Sequence, residues 1–324
     1  MTTNLERIVN AVAFQSASAF TFAGNPSTKW SAPNATAVQT LQSILYATCY
    51  TREFKGEVET ADFAPSATDG SWLDMLSAAN TSAERWEDGW QVQQFLPSGQ
   101  IYGKKGMLTR AFWPGEFITH GVYGSAPQPG TPISVFFPRE SRTAQPGFYY
   151  VFGETQVAPE DEYPTVRYYW NLNREGVAPL IKTLSSTLNR YQVPFRFKVV
   201  SSPSFLNRSD PAVLYVGRRF YRIAADINLE THDQMSAGLD EETPLFTLPL
   251  RKGLAFAEDP GGQESFGMSR CRLLAEGLLL AFSEGKTSVA DRLERISQHF
   301  AASGTSLERP YLNLASINSY EFPQ

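Results

Sequence analysis

From Trp86 onward, proline and glycine cut the chain into short runs rich in aromatic and β-branched residues: WQVQQFLP, GQIYGKKGMLTRAFW, EFITHGVYG, TPISVFFPRE and GFYYVFGE. Runs of this length and composition read as strands, and strands in quick succession pair antiparallel. They predict a meander whose loops, such as Ser125 to Gly130, hold no regular structure. Ahead of Trp86 the spacing is helical. Leu5, Ile8, Val9, Val12 and Phe14 approximate one stripe, and Val38, Leu41, Ile44, Leu45 and Thr48 make another, with the loop FAGNPSTKWSAPNA between them. A shorter helix over Trp72 to Ala79 follows the start signal Thr68-Asp69-Gly70-Ser71.

The second half predicts a strand (Thr165 to Leu172), a helix (about Val177 to Arg190), a strand (Phe195 to Val200) and a strand (Ala212 to Val216). The helix carries Val177, Leu180, Ile181, Leu184 and Leu188 on one face and tolerates Pro179 only in its first turn. Two more helices follow, Ser269 to Phe282 and Ser288 to about Ala302, the latter with Val289, Leu293, Ile296 and Phe300 on one side. The expected fold class is α+β: a mostly antiparallel twisted sheet with helices packed against it, preceded by a helical N-terminal region. Residues 1–85 form that region and 86–324 the α+β part, either as two parts or as one continuous unit.

A chain of 324 residues with 42% hydrophobic and 19% charged residues can bury a sizeable core. Its net charge of -5 argues against general nucleic-acid binding, which needs basic surface without acidic cancellation. No apolar run approaches the roughly 20 residues that span a bilayer, and MTTNLERIVNAVAFQ lacks the basic and apolar regions of a signal peptide. A cytoplasmic protein without membrane contact is expected. Cys49 and Cys271 are too few for a disulfide framework, and His120, His232 and His299 lack metal-ligand spacing, so no metal site is expected. GxxxxGK[ST], GxGxxG after a strand and GxSxG are all missing, which sets aside nucleotide and hydrolase folds and leaves no cofactor to expect. The acidic PEDEY and DEET segments read as solvated loops.

Four segments carry chemistry. A period of two places Arg167, Tyr169 and Asn171 on one face of VRYYWNL, either a solvent-facing surface or a row of a cation, a phenol and an amide. In VPFRFKVV the same period sets Arg196, Lys198 and Val200 against Phe195, Phe197 and Val199. Lys198 either snorkels to water or lies partly buried among cations, where desolvation and repulsion favour a neutral amine able to act as a base. In NRSDPAVLYV, Arg208 either pairs with Asp210 or forks around a phosphate. Finally, Arg270 and Arg272 are read into the first turn of the helix after Ser265-Phe266-Gly267, where cations oppose the helix dipole and a bound anion would explain them.

In order, RYYWN, a helix, VPFRFKVV, RSDPAVLYV, SFGMSRCRLLAEGL and RPYLN resemble the HopA-type effector family. That family includes lyase proteins of class V lanthipeptide and thioamitide biosynthesis and is distantly similar to phosphothreonine lyases; the resemblance covers roughly Gly147 to Phe322. It implies elimination of phosphate from phosphoserine or phosphothreonine in a precursor peptide, leaving dehydroalanine or dehydrobutyrine. By that resemblance Lys198 is the general base, and Arg208 and Arg270, with Arg167 as a further candidate, hold the phosphate. Phosphothreonine lyases carry a Lys-x-His pair on the strand before the helix, whereas here that strand reads Arg167-Tyr168-Tyr169-Trp170-Asn171. Tyr169 or Tyr215 is therefore left to supply a proton, and Asn171 only a hydrogen bond. The implied partners are a phosphorylated precursor peptide, a separate kinase and a cyclase protein, with self-association left open. Two other readings remain: a non-catalytic, effector-like phosphopeptide or partner-binding protein, and a scaffold that grips a leader peptide by strand addition.

Overall fold

Side chains alternating about every second residue in the later strands build a seven-stranded antiparallel sheet, which organises the molecule. The computed structural model describes residues 2–58, 69–121, 126–161, 163–262 and 264–323. Thr68, Ser125 and Glu162, which entered the sequence reading, lie outside them. Among the described residues the strands form three antiparallel sheets. After α1 (Thr2–Ala11), a small sheet joins β1 (Val12–Ser16), β2 (Ala19–Phe22) and β3 (Asn25–Pro26). Part of the segment expected to be loop thus pairs, because Phe20 and Phe22 alternate inward and become fully buried.

Helix α2 (Ala37–Leu45) starts at Thr36, whose side chain accepts from the Gln39 amide while the Gln39 side chain accepts from the Thr36 amide, a reciprocal capping box. It continues directly into a π-helical turn, Tyr46–Tyr50. Helix α3 (Gly70–Ala79) is capped by Asp69. The strand-like runs then divide. β4 (Arg85–Phe95), β5 (Ile101–Lys105), β6 (Leu108–Phe112), β7 (Phe117–Thr119) and β8 (Pro132–Phe137) make a five-stranded sheet with a small core of its own around Trp90, Val92, Ile101, Phe112, Ile133 and Val135. β9 (Glu140–Gln145) and β10 (Phe148–Phe152) instead join β11 (Thr165–Trp170), β12 (Phe195–Val200), β13 (Ala212–Gly217), β14 (Leu248–Arg251) and β15 (Leu254–Glu258) in the order β14-β15-β11-β13-β12-β10-β9.

One face of this sheet is apolar. It packs against α4 (Arg174–Arg190) and α5 (Tyr221–Gln234), with Tyr168 donating to the Tyr221 carbonyl and Trp170 to Asn228. The other face is covered in part by α6 (Phe266–Ser283), which packs on α2 and on α7 (Val289–Ala302). A single core runs from Leu5 in α1 to Tyr320, so the N-terminal helices share it with the main sheet.

Helix α4 begins three residues before the expected start because Asn173 caps it, accepting from the Glu175 and Gly176 amides. Pro179 therefore lies in the second turn. At Gly176 the helix meets the turn holding Gly238, and an added Cβ would come 2.2 Å from the Gly238 carbonyl oxygen. Gly176→Ala is expected to lower the unfolding free energy by about 1–3 kcal/mol, read from denaturant midpoints, since backbone on both sides blocks relief.

Candidate active site

The register places two rows of side chains side by side on the α6 face of the main sheet. Tyr150, Lys198, Val213, Tyr169 and Ala255 are mutually opposed across β10, β12, β13, β11 and β15. Phe152, Arg196, Tyr215, Arg167 and Ala257 form the neighbouring row. The polar face of VRYYWNL is not solvent-facing: every residue of β11 is buried.

Lys198 is half-buried. Its Nζ lies 4.2 Å from the centre of the Phe148 ring and 3.4 Å from the Gln145 amide oxygen, to which Tyr150 also donates at 2.7 Å. Among the described residues no carboxylate pairs with it. Burial pushes the Lys198 ammonium below its ordinary pKa, and Arg167 and Arg208 push the same way against Tyr150 and Asp210.

Arg208 shares the Phe148 ring at 5.6 Å, donates through Nε to Asp210 and gives an Nη2 hydrogen bond of 3.1 Å to the Tyr46 hydroxyl. The pairing of Arg208 with Asp210 is thus realised, with the guanidinium edge facing Tyr46 held in place. Arg167 is tied similarly by Nε to Asp259 at 2.9 Å and lies 5.0 Å from the Tyr215 ring centre. Burial alone would raise the Asp259 carboxyl, but Arg167 and the Gly261 amide outweigh it and hold the group below its ordinary value. Arg196, on the Lys198 face of β12, is exposed and reaches the Tyr215 ring at 5.8 Å. It makes no ion pair among the described residues.

Tyr169 is 2% exposed, and its hydroxyl lies near Tyr50 and Arg167 without a hydrogen bond of good geometry among the described residues. Burial pushes it up to about 12, so the phenol stays protonated at neutral pH; burial raises Tyr215 as well. Asn171 lies further along the strand and is occupied structurally, donating its side-chain amide to the Glu242 carbonyl.

Arg270 is placed differently from its sequence reading. Helix α6 starts at Phe266 under a Ser265 cap, so Arg270 falls in the second turn. Its Nε donates to the Pro310 carbonyl at 2.7 Å and its Nη2 to the Leu312 carbonyl at 2.8 Å. Burial lowers its pKa to about 10. Arg272 pairs with Glu264 and Glu276. Neither arginine needs an external anion to account for it.

Lys198, Arg167 and Arg208 therefore gather with Arg196, Tyr150, Tyr169 and Tyr215, while Arg270, within electrostatic reach of Tyr169 and Arg167, is tied to the segment around residues 310–313. Among the described residues the ion pairs of the four cations Lys198, Arg167, Arg196 and Arg208 are those with the two orienting carboxylates Asp210 and Asp259, an arrangement complementary to a dianion. Sequence reasoning passed over Arg196, although its period-two relation to Lys198 marks it. It also passed over Tyr46, for which no local signal exists.

Residues 139–312 match the HopA1 effector protein family. The chain belongs to that family. The matched segment contains β9 to β15 and α4 to α7, hence the whole main sheet. Two solved effector proteins from Pseudomonas syringae are also similar in structure. That from pathovar tomato strain DC3000 has 14% identity and a TM-score of 0.48, covering 89% of this chain and 95% of its own. That from pathovar syringae strain 61 has 18% identity and a TM-score of 0.48, covering 87% and 91%. No curated protein matches the chain. Among the described residues, no helix of this HopA1 family member is long and apolar enough to cross a membrane.

Proposed function

We propose that this HopA1 family member is a metal-independent carbon–oxygen lyase acting on phosphoserine or phosphothreonine in a ribosomally made precursor peptide during lanthipeptide-type biosynthesis. The observation that carries the reading is Lys198: a half-buried amine with no carboxylate partner among the described residues, set among Arg167, Arg196 and Arg208. The neutral amine takes the Cα proton, the electron pair forms the Cα–Cβ double bond, and the Cβ–O bond breaks with release of phosphate. Charge growing on the phosphoryl oxygens is met by the arginines, of which Arg208 and Arg167 are held in position by Asp210 and Asp259 before substrate arrives. Tyr169 and Tyr215 are protonated donors beside them, and a separate kinase supplies the phosphorylated substrate.

The test is to incubate the protein with a phosphorylated precursor peptide and a chelator and follow the peptide mass. Loss of phosphoric acid with formation of an alkene supports the reading. An intact but bound peptide favours the second reading, a phosphopeptide-binding protein, to which the pre-paired Arg167 and Arg208 are equally suited.

A base of this kind also fixes the pH dependence. Because burial depresses the folded pKa of Lys198 below 10.5, the fold binds fewer protons than the unfolded chain just below that pH. The resulting cost to stability is complete below the folded pKa and disappears as the pH rises past 10.5. The elimination rate should rise with pH as the amine loses its proton, with a midpoint in kcat/KM below 10.5. A limb centred at or above that value would count against Lys198 as the base.

A further inference from the structure

The N-terminal region reaches this site through the π-helical turn Tyr46–Tyr50, closed by the Thr51 amide bonding to the Tyr46 carbonyl at 3.1 Å. Single π turns are rare and recur at functional sites. This one is docked directly onto the Arg208 loop: the Ser209 amide donates to the Thr51 carbonyl at 2.6 Å and the Ser209 hydroxyl to the Tyr50 carbonyl at 3.1 Å. Tyr46 and Tyr50 stack at 5.2 Å, nearly parallel. Tyr50 in turn lies so close to Gly267 of α6 that an added Cβ there would come 2.5 Å from its ring. The turn is therefore clamped from both sides, and the position of the half-buried Tyr46 is fixed.

Its chemistry follows from the direction of one hydrogen bond. Arg208 has only donors, so the Tyr46 oxygen accepts from it, and the phenolic proton is left to be given elsewhere. Among the described residues nothing accepts that proton. A guanidinium nitrogen and a phenol oxygen 3.1 Å apart form two neighbouring donors, spaced to meet two oxygens of one tetrahedral anion. Burial and the nearby Asp210 raise the phenol above its ordinary pKa, which keeps it a donor at neutral pH.

We propose that Tyr46 is part of the phosphate site, its hydroxyl donating to a phosphoryl oxygen of the substrate held by Arg208. The inference rests on the phosphopeptide reading and extends the site to a residue outside the segment that matches the family.

The test is a double-mutant cycle on the full chain, measuring by fluorescence polarisation the affinity for one phosphothreonine peptide and its unphosphorylated counterpart. Tyr46→Phe keeps the ring and its stacking on Tyr50 and removes only the oxygen; unchanged thermal melting confirms that the fold is kept. It should weaken binding of the phosphorylated peptide about tenfold and leave the unphosphorylated one unchanged, the range of a hydrogen bond to a charged group. Added to Arg208→Ala, it should weaken phosphopeptide binding further, because Tyr46 makes its own contact. An unchanged affinity in Tyr46→Phe overturns the inference, as does no further loss in the Arg208→Ala background, which would make Tyr46 only a prop for Arg208. If the wild-type chain does not distinguish the two peptides, the phosphopeptide reading itself fails.

Discussion

Lys198→Ala is expected to slow elimination by about 10²–10⁴-fold, the usual contribution of a positioned general base, while phosphopeptide binding persists. Binding persists because Arg167, Arg196 and Arg208 remain, two of them still held by Asp259 and Asp210. The more searching variant is Lys198→Arg. It retains a cation at the same place on β12 but does not deprotonate in the working range. If the amine is the base, both variants are inactive in a mass-spectrometric assay for loss of phosphoric acid. Near wild-type elimination by Lys198→Arg would mean that Lys198 serves only as a positive charge.

Arg270→Ala is expected to act mainly on stability. The side chain is buried and bridges α6 to the carbonyls of Pro310 and Leu312; its removal leaves both oxygens without that donor and opens a cavity. The Leu312 carbonyl keeps the Thr305 hydroxyl as a donor, so the Pro310 carbonyl is the acceptor left unsatisfied, at about 1–3 kcal/mol, and the cavity adds to that loss in denaturant unfolding. The segment it holds also closes over the sheet edge, where buried Glu258 accepts from the Asn313 amide and Ser316, and Asn313 donates to the Asp259 carbonyl. Asp259 is the partner of Arg167, so loosening this segment should also weaken the phosphate site indirectly. A variant of unchanged stability that loses affinity for phosphate would instead assign Arg270 to the substrate.

What was legible in the sequence was what repeats locally. Period two put Arg167 with Tyr169 on one face of VRYYWNL and Lys198 with Arg196 on one face of VPFRFKVV, the register alone joins those faces, and the apolar stripe in 177–188 marked α4. Helix α5 escaped because its buried face is made partly of alanines, Asn228 and Thr231. The hairpin of β14 and β15 escaped because both strands are short. Arg270 was placed one helical turn too early, and its ties to the Pro310 and Leu312 carbonyls, made by a segment some forty residues on, left no local pattern. The pairing of Arg208 with Asp210 was readable from two residues of separation, whereas its contact with Tyr46 was not, since proximity across distant segments leaves no local pattern.

The same contact bears on how the protein is made. Tyr46 and Arg208 are 162 positions apart, and α2 buries Leu41, Ile44 and Leu45 in a core shared with α6, whose residues begin at Phe266. On the ribosome α2 emerges more than two hundred residues ahead of α6, the helix that covers it. Its apolar side stays unshielded throughout that interval, exposed to wrong partners at each step of elongation. Helix α2 thus reaches its final environment only after α6 has been made, and the pairing of Tyr46 with Arg208 waits for a segment synthesised long after it.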